Sequence, residues 1–144
     1  MLEEKHLEAL CEAHETIEDA LRDSRGLLAH QRRLMALLSL GAAHLIEYYL
    51  HRLRAIKAGA SIKHQWFKAD ARRISLMFAG VLTKSLERLP AAERVVELAH
   101  KLEIDRDDIV YGSPLTSDRV LREKIDIFLE LKKTIEKVVG EIKW

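Results

Sequence analysis

The chain has 144 residues and a net charge of +1, and 48% of its residues are hydrophobic and 33% charged. This composition excludes a disordered protein, and the length fits one domain, residues 1–144, with a substantial core. With only six Gly and two Pro, and with many of the residues that favour helices, the chain is predicted to be all-α.

Three features bear on where the protein acts. The single cysteine, Cys11, cannot form an internal disulfide, which is consistent with a reducing compartment. No apolar run reaches the roughly 20 residues that a membrane-spanning helix needs. The first ten residues, MLEEKHLEAL, lack the basic start and apolar stretch of a signal peptide. We therefore expect a cytoplasmic protein that does not associate with a membrane.

Charge is distributed unevenly along the chain. The first 24 residues are acidic, residues 25–88 are basic, and the remainder carries slightly more acids than bases. A basic middle attracts phosphate or an acidic partner, whereas in a compact bundle it would neutralise the acidic first helix. Both interpretations remain open from charge alone.

About five helices are predicted, four main and one short, in an up-and-down bundle. The first covers about Leu2 to Ser24, where apolar residues recur every three or four positions until Gly26 breaks the pattern. The second covers about Leu27 to Lys57, ends at Gly59 and is apolar on nearly all sides, which predicts a central helix. Gly41, within it, is interpreted as a packing notch at a close helix crossing.

The second half of the chain contains the other three helices. One is predicted from about Gln65 to Leu89, before Pro90, and a short one from about Ala91 to Leu102. An irregular stretch, RDDIVYGSP, follows at residues 106–114. The last helix begins near Ser117 or Asp118. Its apolar residues recur every seventh position, which predicts a seam along a neighbouring helix of this chain or of another subunit: Leu121, Phe128, Ile135 and Ile142.

Histidine and glutamate spacings allow a metal site as one alternative. His44, Glu47 and His51 lie on one face of the second helix, where they could instead pair with nearby arginines or face water. Two Glu-x-x-His pairs, Glu3–His6 and Glu97–His100, have the spacing found in di-metal four-helix bundles. Because such pairs also arise by chance in a helical chain with seven His and 23 acids, the sequence assigns no metal and no cofactor.

The segment HQWFKADARRIS interleaves bases with aromatic residues. The candidate nucleic-acid-binding bases here are Lys63, Lys68, Arg72 and Arg73. They could contact the phosphates of single-stranded RNA while Trp66 and Phe67 stack on its bases. The alternative is an ordinary amphipathic helix whose aromatic residues pack inward while its bases remain solvated.

The order of these segments resembles that of the HEPN domains. A long apolar helix, the break KAGASIKH, further helices, RDDIVYGSP and an amphipathic last helix follow one another. HEPN domains are small all-α prokaryotic proteins, often encoded beside nucleotidyltransferase-type antitoxins. Many are dimeric RNases in which an Arg and a His near the start of a late helix meet at the subunit interface. The resemblance implies a nucleotide or RNA ligand, a homodimer and an antitoxin partner of that type.

By position, the resemblance assigns Arg106 and Asp107 to the Arg and the polar residue of the family's motif and Gly112 to its glycine. Tyr111 stands where the histidine is expected. A histidine, with a pKa of about 6.5, exchanges protons readily near neutral pH, whereas a tyrosine, with a pKa of about 10, is a poor base. The prediction is a degenerate, metal-independent RNase or a toxin–antitoxin component, in which Arg106 holds phosphate and Tyr111 or His100 handles protons.

Two other Arg–His pairs fit the family's spacing. Arg25–His30 is interpreted as a coincidence, whereas Arg94–His100 is the reserve candidate, because His100 could approach Arg106 across a turn. Two further classes of function stay open beside RNA binding. One is a non-catalytic helical interaction protein whose interface is the last helix's seam, and the other is a metal-binding four-helix-bundle protein.

Overall fold

A computed structural model describes residues 3–144, so the helix start predicted at Leu2 lies outside the described residues. Within this range the chain folds into an all-α helical bundle without β-strands, which confirms the predicted fold class. Its α-helices are α1 (Glu3–Arg22), α2 (Gln31–Arg52), α3 (Ala71–Ala79), α4 (Ala92–Glu103), α5 (Arg106–Tyr111) and α6 (Arg119–Val139). Short 3-10 helices cover Leu27–His30, His64–Lys68 and Leu86–Arg88. From Glu3 to Trp144, no helix has the length and hydrophobicity needed to cross a bilayer.

Helix α2 is the central helix, as its nearly continuous apolar surface predicts. It contacts α1, α4, α5 and α6. Thirteen of its 22 residues are buried, including the polar or charged Gln31, Ser39 and Glu47. These three side chains have almost no access to solvent, so each of them depends on a partner from another segment.

Gly41 lies at a close contact of α2 with α1 and α6, which confirms the predicted packing notch. A Cβ atom at this position would lie 2.9 Å from Cε2 of Phe128 on α6 and 3.4 Å from the Cβ of Ala13 on α1. The missing side chain therefore admits the Phe128 ring, which is fully buried.

The heptad seam of α6 packs inside its own chain. The four seam residues are 0–2% exposed, and α6 contacts α2 and α4. The seam is therefore part of the core, so it does not offer the exposed interface that the interaction-protein alternative requires. The seam residues are Leu121, Phe128 and Ile135 on α6 and Ile142, which follows the end of the helix at Val139.

The predicted helix from Gln65 to Leu89 is wrong in extent. Asp70 caps α3 by accepting a hydrogen bond from the Arg73 amide at 2.9 Å, and α3 ends at Ala79 before Gly80. The next residues are drawn away from helix, because the Thr83 amide donates to the Ala55 carbonyl at 2.8 Å. A cap residue and a pairing distant in sequence thus override the helical periodicity.

The RDDIVYGSP stretch is more regular than predicted. Residues Arg106–Tyr111 form the short helix α5, which ends where the Gly112 amide donates to the Asp108 carbonyl at 2.9 Å. Asp105, which precedes α5, has a φ of +68°, in the left-handed region. This backbone conformation turns the chain sharply between α4 and α5 and places Arg106 directly after the turn.

We expect Gly41→Val to destabilise the fold by about 1–3 kcal/mol, because the added methyl groups overpack the crossing with Phe128. Urea denaturation measures this loss. Ala36→Val, at a half-buried position of the same helix, is the matched control for the cost of a β-branched side chain and should lose less than about 1 kcal/mol. Equal losses in the two variants would contradict a tight crossing at Gly41.

The Tyr49 hydroxyl donates a hydrogen bond to the Pro90 carbonyl at 2.8 Å, and burial raises the pKa of Tyr49 to about 12. An unfolded tyrosine has a pKa of about 10, so the stabilisation is complete below pH ~10 and is lost as the pH rises to ~12. The free energy of unfolding should fall by about 1.4 kcal/mol per pH unit across this window.

Tyr49→Phe is expected to remove that slope, which urea denaturation at successive alkaline pH values measures. Tyr111→Phe, on a side chain that is 77% exposed, is the control and should retain the wild-type slope. An unchanged slope in Tyr49→Phe would show that other groups govern the alkaline transition.

Candidate functional site

A group of polar and charged side chains surrounds a small cavity, of about 190 Å³, where α4 turns into α5. Lys68 and the residues from Glu103 to Asp108 line this cavity. We call the α4–α5 site the cavity-lining Lys68, Glu103, Arg106 and Asp107 together with Ser39 and His64, which do not line the cavity but contact Glu103.

Arg106 is held at the beginning of α5. Its side chain is 11% exposed, and its Nη1 donates to the Asp107 carboxylate at 3.0 Å. Its Nε is buried and has no hydrogen-bond partner among residues 3–144. A buried donor without a partner costs free energy, so the position of the Arg106 guanidinium is not fixed by a full set of protein contacts.

Asp107 accepts hydrogen bonds from two cations. Lys68, at the end of the 3-10 helix His64–Lys68, donates to one carboxylate oxygen, and Arg106 donates to the other. The bond from Lys68 is the main reason why the pKa of Asp107 lies below its usual value. The structure thus brings together three of the sequence-predicted site residues, from segments almost 40 positions apart.

A chain of buried hydrogen bonds adjoins these cations. Ser39 on α2 donates to one oxygen of Glu103 at 2.6 Å, and His64 Nδ1 lies 2.7 Å from the other. Glu103 is 2% exposed, so its carboxylate depends on these partners. Since a carboxylate accepts, Nδ1 of His64 carries the proton, and Nε2 is left as the nitrogen able to accept one.

The sequence did not reveal His64 or Glu103 as site residues. Their positions differ by 39 residues, and no spacing rule connects them. One signal was present for Glu103, which directly follows Leu102 on the buried face of α4 and is an acid where solvent is excluded. His64 lay at the end of a segment read as a helix break and gave no periodic signal.

The two residues assigned to proton transfer lie elsewhere. His100 Nδ1 donates to the Phe67 carbonyl at 2.6 Å, and His100 lines a larger cavity of about 800 Å³ between α3 and α4. Tyr111 is 77% exposed at the opposite end of α5 from Arg106. Residues five apart in a helix point about 140° away from each other, so Tyr111 does not face the Arg106 cavity.

The basic segment presents its charges to solvent and its aromatic side chains to the core. Lys63, Arg72 and Arg73 are exposed. Phe67 is 1% exposed, and Trp66 packs edge-on against Phe78 with ring centroids 5.8 Å apart. The aromatic residues therefore stabilise the fold, and the bases alone remain available to a ligand.

Arg25 and His30 meet through a third residue, Asp23. The Arg25 Nη2 and the His30 Nε2 both lie 2.7 Å from the same carboxylate oxygen. The hydrogen bond from Arg25 is the largest cause of a pKa for Asp23 far below its ordinary value. These contacts connect the end of α1 to the next 3-10 helix, which is a structural role.

Arg94 is engaged by Glu97 at 3.0 Å and by Glu130 on α6. Glu97 also contacts Lys101 at 3.1 Å. Neither residue is directed to His100 by these contacts, so the Arg94–His100 and Glu97–His100 pairs do not form functional units.

A second polar cluster lies between α1 and α2, and we call His6, Glu47 and His51 the His6–Glu47–His51 cluster. One potential ligand atom from each residue lies within 4.8 Å of the others. Within the part of the chain that the structure describes, this is the one group of three such residues able to hold a metal ion. Glu3, which the sequence paired with His6, lies 4.0 Å from Arg52 instead.

Comparison of the chain with protein-family models, with curated proteins and with solved structures gave no match.

Proposed function

We propose that the chain binds the phosphate group of a nucleotide or an RNA at the α4–α5 site. The observation that supports this function is the guanidinium of Arg106, which lies beside a cavity together with Lys68 and retains an unpartnered Nε. Guanidinium and ammonium groups are the usual side-chain donors to phosphate. The resemblance to HEPN domains supports the same class of ligand.

Asp107 acts as an internal competitor in this proposal. Its carboxylate accepts from both Lys68 and Arg106, so it keeps the two cations together in the free protein. A phosphate oxygen replaces the carboxylate as their acceptor when the ligand binds. Asp105 and Asp108 also line the cavity, and their charges weaken the attraction for a long polyanion.

The exposed bases next to Lys68 extend the site along the surface. Lys63, Arg72 and Arg73 flank it in sequence, are exposed and supply the positive charge along which an RNA backbone would run. Tyr111, which does not face the cavity, offers an exposed aromatic ring on which a base outside the phosphate-binding cavity can stack. In this proposal Tyr111 does not transfer protons.

In this proposal, His64 is the residue that accepts and donates protons if the site cleaves RNA. Glu103 holds the protonated Nδ1, which leaves Nε2 to accept a proton, and Ser39 holds Glu103. A carboxylate that orients a histidine in this way is a common arrangement for general acid–base catalysis. The activity is metal-independent RNA cleavage, weaker than that of an enzyme with its histidine beside the arginine.

A homodimer and a nucleotidyltransferase-type antitoxin partner remain part of the proposal through the resemblance alone. The α6 seam is buried within the chain, so another surface must form the dimer. Leu76 on α3, whose side chain is 67% exposed, is the most exposed of the large aliphatic residues in the described range and marks one such surface.

We expect Arg106→Ala to weaken binding of a labelled single-stranded RNA by about 10- to 100-fold. This is the loss of affinity that usually follows the loss of a hydrogen bond to a charged group. Asp107→Asn should strengthen binding several-fold, because the competing negative charge is removed. Fluorescence anisotropy at two salt concentrations measures both changes.

Arg119→Ala is the matched control, since it removes one arginine charge from an 84% exposed side chain on α6. It should change the affinity by less than about twofold. If Arg106→Ala and Arg119→Ala weaken binding equally, the α4–α5 site is not where RNA binds.

We expect RNA cleavage in the presence of EDTA to fall by about 100-fold or more in His64→Ala, in line with the loss of one general acid–base group. Tyr111→Phe should leave cleavage within about threefold of the wild type. Labelled RNA resolved on a denaturing gel gives both rates. If His64→Ala still cleaves RNA, His64 does not transfer the proton. If the wild-type protein does not cleave RNA, the α4–α5 site binds RNA without cleaving it.

A further inference from the structure

The His6–Glu47–His51 cluster is largely buried, and two of its imidazole nitrogen atoms lack partners among the described residues. His6 is 0% exposed and Glu47 5% exposed, and His51 is half-buried at the edge of the cluster. Nε2 of His6 and Nε2 of His51 are both inaccessible to solvent and make no hydrogen bond with any residue from Glu3 to Trp144. Two unsatisfied imidazole nitrogens beside one carboxylate are costly unless something else binds them.

The contact between His6 and Glu47 is not a well-aligned hydrogen bond. His6 Nε2 lies 3.1 Å from Glu47 Oε2, yet this nitrogen has no hydrogen-bond partner by its geometry. Two ligand atoms on one tetrahedral zinc ion, each about 2.05 Å from the metal, lie about 3.3 Å apart. The separation therefore suits two ligands that point at a shared ion better than a donor that points at an acceptor.

The hydrogen bonds that surround the cluster involve other atoms than those that would face a metal ion. The Ile62 amide donates to Oε1 of Glu47 at 2.7 Å, so Oε2 is the oxygen that remains for an ion. His6 Nδ1 and His44 Nδ1 lie 3.0 Å apart and share one proton. When His6 carries that proton, its Nε2 has a free lone pair directed to the cluster, as metal-binding histidines require.

The buried carboxylate of Glu47 also suits a cation. Glu47 is 5% exposed, and its ion-pair contact among residues 3–144 is with the imidazole of His6. A buried carboxylate without a permanently charged partner is costly, and a divalent ion would supply positive charge beside it.

We propose that His6, Glu47 and His51 bind one divalent transition-metal ion of the zinc class. Two imidazole nitrogens and one carboxylate oxygen form a ligand set that favours zinc-class metals over Mg²⁺ or Ca²⁺, which prefer oxygen ligands. Rotation of the His51 side chain closes the set around the ion. The ion joins α1, which carries His6, to α2, which carries Glu47 and His51.

The site is mononuclear. A di-metal bundle needs Glu-x-x-His pairs from two helices together with glutamates from two others. Here Glu3 lies beside Arg52, and Glu97 contacts Arg94 and Lys101, so neither predicted pair contributes a glutamate to the cluster.

Zinc titration of the untagged, full-length protein after dialysis against EDTA tests the site, with a chromophoric chelator as competitor. We expect one Zn²⁺ per chain. Glu47→Gln keeps the side-chain volume and the acceptor for Ile62, and His51→Asn changes a half-buried position. Each should weaken zinc binding by more than the roughly 10- to 100-fold typical of changes outside the ligand set.

His14→Asn is the matched control, because His14 also lies on α1 but stacks on Trp144, with ring centroids 4.6 Å apart. It should leave the zinc affinity unchanged, and thermal melting of each metal-free variant confirms that it folds. In the visible spectrum, Co²⁺ should give intense bands in the wild type that Glu47→Gln loses. Zinc affinity that is equal in the wild type, Glu47→Gln and His51→Asn would overturn the proposal, as would a wild-type protein that binds no zinc.

This test is independent of the RNA proposal. Arg106→Ala should bind zinc as the wild type does, because Arg106 is not among the ligands or their partners. Zinc affinity lost in Arg106→Ala but kept in Glu47→Gln would place the ion at the α4–α5 site and overturn the assignment to α1 and α2.

Discussion

The burial of thirteen of the 22 residues of α2 is the constraint on which the rest of the structure depends. Where α1, α4, α5 and α6 cover this helix, its polar residues cannot reach water, whereas Arg32, Arg33 and Arg52 lie on the part that stays exposed. Each buried polar side chain on α2 must therefore be satisfied by a residue from a neighbouring segment. Gln31 accepts the Leu115 amide at 3.0 Å, Ser39 donates to Glu103, and Glu47 accepts the Ile62 amide. Both proposed sites are anchored to α2 by contacts of this kind.

The two sites differ in how their charges are balanced. At the α4–α5 site, the cations Lys68 and Arg106 already share the carboxylate of Asp107, so a ligand must compete with a protein group. In the His6–Glu47–His51 cluster, a buried carboxylate lies beside two imidazole Nε2 atoms that have no hydrogen-bond partner among the described residues. A ligand there satisfies groups that the fold leaves unsatisfied. A buried carboxylate without a cationic partner costs free energy, so the arrangement in the His6–Glu47–His51 cluster is rarer in folded proteins than that of the α4–α5 site.

The sequence predicts most of the fold because local periodicity and packing agree along α1, α2, α4 and α6. It fails between residues 65 and 89, where the Asp70 cap and the hydrogen bond from Thr83 to Ala55 decide the backbone. The Asp70 cap is local, whereas the hydrogen bond from Thr83 to Ala55 depends on tertiary structure, to which a helical period is insensitive. The same limit applies to the sites. The face shared by Glu47 and His51 follows from helical spacing, whereas the approach of His6 from α1 follows only from packing.

The segment from Ile62 to Lys68 physically connects the two sites. Its first residue donates to Glu47 in the cluster, His64 contacts Glu103, and Lys68 contacts Asp107. A stretch of seven residues thus provides one contact to the cluster and two to the α4–α5 site. Because its backbone is fixed by these side-chain contacts and by the burial of Phe67, a change in the position of Glu47 acts on the same segment that positions His64 and Lys68. The break between the second and third helices, which the sequence presents as a mere connection, is the part of the chain on which both sites depend.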